Sequence, residues 1–426
     1  MKYKQFNLPY GARLMYAKND INQSTIVDIS FLGGASEEKI PGLAHFTEHM
    51  FFSGTDKLSA EEVKKKFFYF SQANAYTTYR DIVFTGGIFT DELAQFLSTV
   101  AMVIKDTTFS NEAIENEKKI VIQEINAFKD DNRSNFYNIN YSNMYDRDLL
   151  NKGVIGNEKS VKSIKQKDIL EFVNKYFVAN NADIFICTPL SVREVKKLVI
   201  ENLLNKIKIL DDYKKPNMFY LNAVDFNFYK SVYKDIGKIY IGIDFRVKHT
   251  IFDIDFFIKE KLISRMINDI SYGLTKLLRQ DKSLVYYADY TLLYENTGSI
   301  VQIITESDKN NANQIIEAVA EYIKGLKEKG FSSEQLEKAK RMIKFARESR
   351  IHSPNKYLDK LYNFRIYGKV LDSEYIHKKI MDTTLEECNA LINEIFDVSN
   401  IGCTLYGDVK KKDIMSEKKF FKLFRS

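Results

Sequence analysis

The sequence has no tryptophan, three cysteines (Cys187, Cys388 and Cys403) and five prolines in 426 residues. No apolar run approaches the roughly 20 residues that span a bilayer, so no membrane span is expected. So few cysteines exclude a disulfide framework, and each falls in a strand- or helix-like apolar stretch that suits the core. The opening Met1-Lys2-Tyr3-Lys4-Gln5-Phe6-Asn7 lacks the apolar centre of a secretory signal; together these absences lead us to expect a reducing, cytoplasmic setting. Charge of one sign is scarce too, with 63 basic residues against 57 acidic and a net charge of +6. Lys and Arg are dispersed among acids, which gives no case for nucleic acid as a partner. The largest local excess is in 408–426, seven Lys or Arg with Phe420, Phe421, Leu423 and Phe424; a terminal helix docked by its aromatics is expected over a membrane-binding one. Gly-x-Ser-x-Gly, Gly-x-Gly-x-x-Gly and Gly-Lys-Ser/Thr motifs are all missing.

What is present is the composition of a globular chain, 45% apolar and 28% charged, long enough for two or three units. Alternation predicts strands at 13–17, 25–31, 74–78 and 82–89, followed by helices at 91–105 and 111–128. A helix at 167–177, a strand at 182–188 and a helix at 192–207 complete an α+β half. The polar, proline-containing stretch Asp211–Asn217 marks a linker, giving an N-terminal domain 1–210, a linker 211–222 and a C-terminal domain 223–426. Beyond it, strands at 229–233, 238–245, 284–294 and 299–305 and helices at 253–269, 312–329 and 333–350 repeat the order. A shift of 219 residues aligns Val173, Phe177, Asn181, Ile184 and Ile186 with Ile392, Phe396, Asn400, Cys403 and Leu405, a helix-turn-strand in both places. The expected fold is therefore α+β, two structurally similar domains, each a mainly antiparallel sheet packed with helices.

The densest chemistry lies in Gly42-Leu43-Ala44-His45-Phe46-Thr47-Glu48-His49-Met50. Two of five histidines stand four apart on a helix with Glu48 between them, so all three side chains can meet on one face. Two neutral imidazoles one turn apart can ligate zinc, and a neighbouring carboxylate can take a proton from water, in the His-x-x-Glu-His order. Packed histidines with a salt-bridging Glu48 are the alternative, and a third ligand decides between them. On the helix at 111–128, Glu117 and Glu124 share a stripe with Ile114, Val121 and Phe128 that should be buried, whereas Glu115, Lys118 and Lys119 look solvated. Buried carboxylates need a cation, a metal or hydrogen-bond donors. His249, His352 and His377 have no such neighbours and read as ordinary polar residues.

These residues resemble the inverted-zincin metallopeptidase family that includes pitrilysin, insulin-degrading enzyme and the mitochondrial processing peptidase, over nearly the whole chain. Leu8-Pro9-Tyr10-Gly11 is similar to the family's opening turn, Gly33–Glu37 to its approach to the metal helix, and Gly42 to Thr55 to its signature. The resemblance implies His45 and His49 as zinc ligands, Glu48 as general base, Glu124 as third ligand, 75 residues after His49, and Glu117 as a carboxylate supporting the site. Asn74-Ala75-Tyr76-Thr77 matches a strand that in the family binds substrate backbone. Leu278 to Tyr286 resembles an element whose Arg and Tyr bind substrate and the developing oxyanion, which implies Arg279 and Tyr286; Gln280 and Ser283 depart from the usual Glu and Gly. The size is similar to that of processing-peptidase subunits, where two chains pair into a clam-shell of which each is half. The resemblance thus implies a zinc endopeptidase with one Zn²⁺ per chain, acting on peptides or unfolded segments in a closed chamber, and a homodimer or else a heterodimer with a zinc-less relative. A non-catalytic scaffold subunit of the same fold, or a subunit active only with such a partner, are the alternatives.

Overall fold

The computed structural model describes residues 3–20, 22–145, 153–217, 222–349 and 371–425. Two compact units divide the chain, one holding the described residues of 1–128 and 151–219, the other those of 129–150, 220–351 and 371–426.

Unit 1 is built on six strands, β1 (Tyr3–Asn7), β2 (Arg13–Lys18), β3 (Ser24–Leu32), β4 (Asn74–Thr77), β5 (Asp81–Phe89) and β6 (Ala182–Thr188), in the order β1-β2-β6-β3-β5-β4. Every neighbouring pair is antiparallel except β2 with β6. The inner strand β6, Ala-Asp-Ile-Phe-Ile-Cys-Thr, is buried along its whole length, which is why it reads as a nearly unbroken apolar run. Helices α1 (Leu43–Met50), α2 (Ala60–Phe67), α3 (Leu93–Asp106) and α4 (Asn111–Asp130), with the helix Gln166–Tyr176, contribute to one core. Its centre is aromatic: the Phe51 ring lies 4.6 Å from Phe177 and 5.6 Å from Phe84.

Unit 2 repeats this scheme with β7 (Phe228–Tyr233), β8 (Ile239–Val247), β9 (Ala288–Leu293), β10 (Ser299–Ser307) and β11 (Ile401–Gly407) in the order β7-β11-β8-β10-β9. Again one pair, β7 with β11, is parallel and the rest antiparallel. Strand for strand this is β2-β6-β3-β5-β4, and β11 lies 219 residues after β6. Two similar α+β units, each a mixed sheet packed with helices, are therefore present. On β8, Ile239, Ile241, Ile243 and Phe245 face the helical core, while Tyr240 and Asp244 alternate to the other face. That other face is covered by the helix α5 (Asn132–Tyr141), with Phe136 stacked on Tyr240 at 5.6 Å and Asn140 bonded to both Asp244 and Thr404. Gly242 permits the approach, since a Cβ there would lie 3.1 Å from Asn140 and Phe136.

Several local expectations need correction. The strand expected from Leu284 starts at Ala288, because Lys276–Asp281 forms a wide helical turn and Ser283 takes a left-handed φ of 51°. The helix expected to Ile207 ends its α geometry at Val199 and passes into a wide turn over Ile200–Leu204. On α4, Phe128 is exposed and Lys118 is buried, its ammonium held by Glu115 and the carbonyl of Lys162, so the buried stripe is Ile114, Lys118, Val121 and Ile125. His249 is no isolated polar residue: Asp253 lies 2.5 Å from its Nδ1 and Glu394 3.0 Å from its Nε2. His377 lies on the helix Ser373–Asp382, and His352 lies outside the described residues. The basic end forms the helix Glu417–Arg425, docked through buried Phe420 against Tyr229 and through Phe424 against Phe245.

Candidate metal centre

Helix α1 buries Leu43, Ala44, Phe46, Thr47 and Met50 and leaves His45, Glu48 and His49 on its other face. Its start is tightly set. Gly42 has φ 87°, and a Cβ there would lie 2.6 Å from the carbonyl of Ile155. The carboxylate of Glu38 accepts hydrogen bonds from the N–H groups of Gly42 (2.7 Å) and Ala44 (2.9 Å), satisfying two donors that a helix start leaves open and complementing its positive end. Sequence reasoning missed Glu38 and stopped at Glu37, which instead accepts from the Tyr176 hydroxyl at 3.3 Å. An acid four residues before a helix-opening glycine was the available signal.

Opposite this face lies α4. Glu124 Oε2 is 3.5 Å from His49 Nε2 and 3.9 Å from His45 Nε2, and one donor atom from each of the three lies within 4.8 Å of the others. Ligands about 2.0–2.2 Å from a tetrahedral zinc are separated by roughly 3.5 Å, so the donor set fits that ion in type and spacing. Glu124 is half exposed, leaving the cluster open to solvent, whereas Glu117 is mostly buried. Glu117 Oε1 lies 2.8 Å from His49 Nδ1. A carboxylate only accepts, so the ring proton sits on Nδ1 and the Nε2 lone pair is free for a metal.

Electrostatics treat the two histidines differently. Burial, reinforced by His49, pushes His45 down to about 4, which keeps it neutral and ligand-ready at ordinary pH. For His49 burial opposes charge, but the bond to Glu117 and the nearby Glu124 and Glu48 outweigh it and raise its pKa. Burial raises Glu48, partly offset by His49 and by the hydrogen bond that Thr77 Oγ1 donates to its Oε2 at 2.9 Å. Thr77 ends β4, the edge strand of the sheet, on which Asn74 is exposed, Ala75 buried, and Tyr76 and Thr77 half-buried. The structure thus gathers His45, Glu48, His49, Glu117, Glu124 and Thr77. Arg279 and Tyr286 belong to unit 2, where the guanidinium lies 5.0 Å from the centre of the Tyr286 ring and that ring is 76% exposed.

Comparison with known proteins matches residues 15–157 to the family described as Insulinase (Peptidase family M16) and residues 163–343 to the one described as Peptidase M16 inactive domain. An uncharacterized zinc protease of Bacillus subtilis, YmxG, is 23% identical over 92% of this chain and 95% of its own length. Among solved structures, a protease from Helicobacter pylori superposes with a TM-score of 0.83 at 19% identity, over 95% of this chain and 99% of that one. The first half of the periplasmic protease PqqL from Escherichia coli does so at 0.81 and 16% identity, over 100% of this chain and 96% of that one; of the whole of PqqL the chain covers 50%. The PqqL match overturns the expectation of a cytoplasmic setting, since the same fold serves a periplasmic protease. The physical reason is that Cys187, Cys388 and Cys403 are free and buried, so their scarcity carries no information about the redox state outside the fold. No helix among the described residues is long and apolar enough to cross a membrane.

Proposed function

We propose that this chain, which belongs to the insulinase family of zinc peptidases (peptidase family M16), is an endopeptidase that cuts peptides or unfolded segments held as an added strand on β4. It is a zinc peptidase with a catalytic N-terminal half and a pseudo-catalytic C-terminal half, and the His45, His49 and Glu124 cluster beside Glu48 is the observation that carries the reading.

In this proposal His45, His49 and Glu124 hold one Zn²⁺ per chain, and Glu117 fixes His49 in the ligating tautomer. Zinc there supplies Lewis acidity, making water a nucleophile near neutral pH and polarising the scissile carbonyl. Glu48, its proton affinity raised by burial, takes the proton that the attack releases and returns it to the leaving amine. Thr77 anchors one Glu48 oxygen and leaves the other for this exchange. The same residue belongs to the edge strand, so the base and the substrate backbone are set by one short segment, Asn74 to Thr77. An edge strand reads main chain, which suits many sequences. Arg279 and the exposed Tyr286 are assigned to substrate and oxyanion, and the working form to a dimer of two such chains.

The test is zinc content and cleavage of a quenched mixed-peptide library by the parent and by Glu48→Gln. The expected outcome is about one zinc per chain in both, with turnover in the variant reduced at least about 10³-fold, since the proton acceptor is gone while the ligands remain. Undiminished turnover in Glu48→Gln would overturn the mechanism, and parent protein that holds zinc without cleaving would overturn self-sufficiency in favour of a partner subunit.

A further inference from the structure

Unit 2 contains a solvent-open cleft of about 770 Å³ lined by the helices Ile254–Ile267 and Ser333–Ser349 and the loop at Tyr272. Its place in the repeat matters. The helix Ile254–Ile267 follows β8 as α1 follows β3, and Ser333–Ser349 follows the helix Ala312–Lys329 as α4 follows α3. The helix pair that in unit 1 presents His45, His49, Glu117 and Glu124 thus has a counterpart in unit 2 that also lines an opening, with opposite chemistry.

The cations there divide into two kinds. Lys338 is neutralised by Asp269 at 2.8 Å and also bonds Ser271. Arg265 and Arg341 line the cavity with no ion-pair partner among the described residues. Two acids of the same wall are engaged: Glu334 accepts from the Tyr272 hydroxyl at 2.6 Å, and Glu337 lies 3.8 Å from Lys340. Beside the guanidiniums stand Met342 and Phe345, 38% and 71% exposed, an apolar surface that water covers at a cost of roughly 25 cal/mol per Å².

We propose that this cavity binds the carboxy-terminal end of a peptide, its terminal carboxylate between Arg265 and Arg341 and its last apolar side chain on Met342 and Phe345. The volume, within the usual 300–1,000 Å³ of ligand clefts, suits the last few residues of a peptide. A guanidinium fork matches a carboxylate in a bidentate manner. Glu334 and Glu337 on the same wall repel an anion in proportion to its charge, so a singly charged carboxylate between the guanidiniums is penalised less than a nucleotide phosphate. That the ligand is a peptide rests on the peptidase reading; that it is a carboxylate next to an apolar group rests on the cavity.

The experiment uses the full chain with Glu48→Gln, so that bound peptide is not cut, and follows fluorescence anisotropy of a labelled hexapeptide ending in phenylalanine with a free carboxylate, against its carboxy-terminal amide. Amidation is expected to weaken binding about tenfold or more, and Arg265→Ala/Arg341→Ala to do the same for the free acid while leaving the amide unchanged. Both arginines are exposed, so the variant should keep the parent's melting temperature, and the amide arm needs no variant at all. Equal affinity of acid and amide, or an acid preference untouched by the double variant, would overturn the site. Octanoate displacing the labelled peptide acid as effectively as the unlabelled peptide acid itself would overturn the peptide as occupant. Failure of the peptidase reading shows separately, as a parent chain that never cleaves while the carboxylate preference at Arg265 and Arg341 persists.

Discussion

His49 depends on Glu117 more than spacing alone suggests. The 2.8 Å contact at Nδ1 selects the tautomer and aims the ring, whereas His45 Nδ1 is buried with no hydrogen-bond partner among the described residues. Glu117 therefore orients His49 alone of the two. Partners of this kind are worth roughly 10–100-fold in metal affinity. Glu117→Ala should weaken zinc binding by about that factor in a chelator competition, and Glu117→Gln, which keeps an acceptor oxygen, should recover most of it. An unchanged zinc affinity in the alanine variant would assign the contact to packing alone. Ser283 shows a different residue-scale signature. It stands where the family resemblance expects glycine and adopts φ 51°, the conformation that glycine tolerates best, so the departure falls where the backbone itself favours glycine.

At the scale of elements, the edge strand β4 sets what a substrate must offer. It pairs with β5 on one side only, so its other side presents main-chain groups to an incoming strand. A substrate read this way tolerates varied side chains but not the loss of alternate N–H groups. N-methylation at alternate positions flanking the cut should lower kcat/KM by about tenfold or more per bond removed, since each loss leaves an edge group unpaired, while side-chain changes at the same positions should matter less. Equal sensitivity to both would refute backbone addition. Elements with a strong period were legible in the sequence: β6 at Ala182–Thr188 and the helix Ala312–Lys329 coincide with their expected ranges. Others were not. β1 is half exposed with the weak pattern of an outer strand, and α5 reads as polar Asn-Arg-Ser-Asn-Phe-Tyr-Asn because its partner is the back of a sheet that begins about a hundred residues later. On α4, periodicity put Glu117 and Glu124 on one side, yet it misassigned Phe128 and Lys118, since a helix lying across a metal cleft has a narrower buried stripe than a core helix. Within the cluster, the His45, Glu48 and His49 spacing was visible locally and the Glu38 contacts to Gly42 and Ala44 are local too, whereas the Thr77 contact to Glu48 arises only from tertiary folding.

For the whole molecule, the repeat distributes chemistry unequally, and that inequality has a consequence for stability. Among the described residues of unit 2, the buried carboxyls Asp244 and Glu260 have their proton affinity raised by burial. Asp244 on β8 is pushed up to about 7 by burial, against the opposing bonds from Gln302 and Asn140, and Glu260 is pushed up to about 7 by burial, against the bond from Tyr294. A carboxyl whose folded pKa lies above its unfolded one holds a proton in the fold that the open chain releases. Stability from these groups is therefore fullest below about pH 4, falls as pH rises towards 7 and is flat above, with a slope of about 1.4 kcal/mol per pH unit for each group. His45 works the other way in the metal-free protein: lowered to about 4, it favours the fold above its ordinary 6.5 and loses that contribution as pH falls towards 4, cancelling the slope of about one carboxyl. Asp244→Asn isolates the effect, because an amide oxygen can still accept from Asn140 and Gln302 and cannot ionise. In urea titrations from pH 4 to 8, the stability gap between variant and parent should shift in the variant's favour by about 1.4 kcal/mol per pH unit up to pH 7 and then stay constant. A gap independent of pH throughout would mean that Asp244 is ionised inside the fold, and that the network joining α5 to the sheet holds a charge instead of a proton.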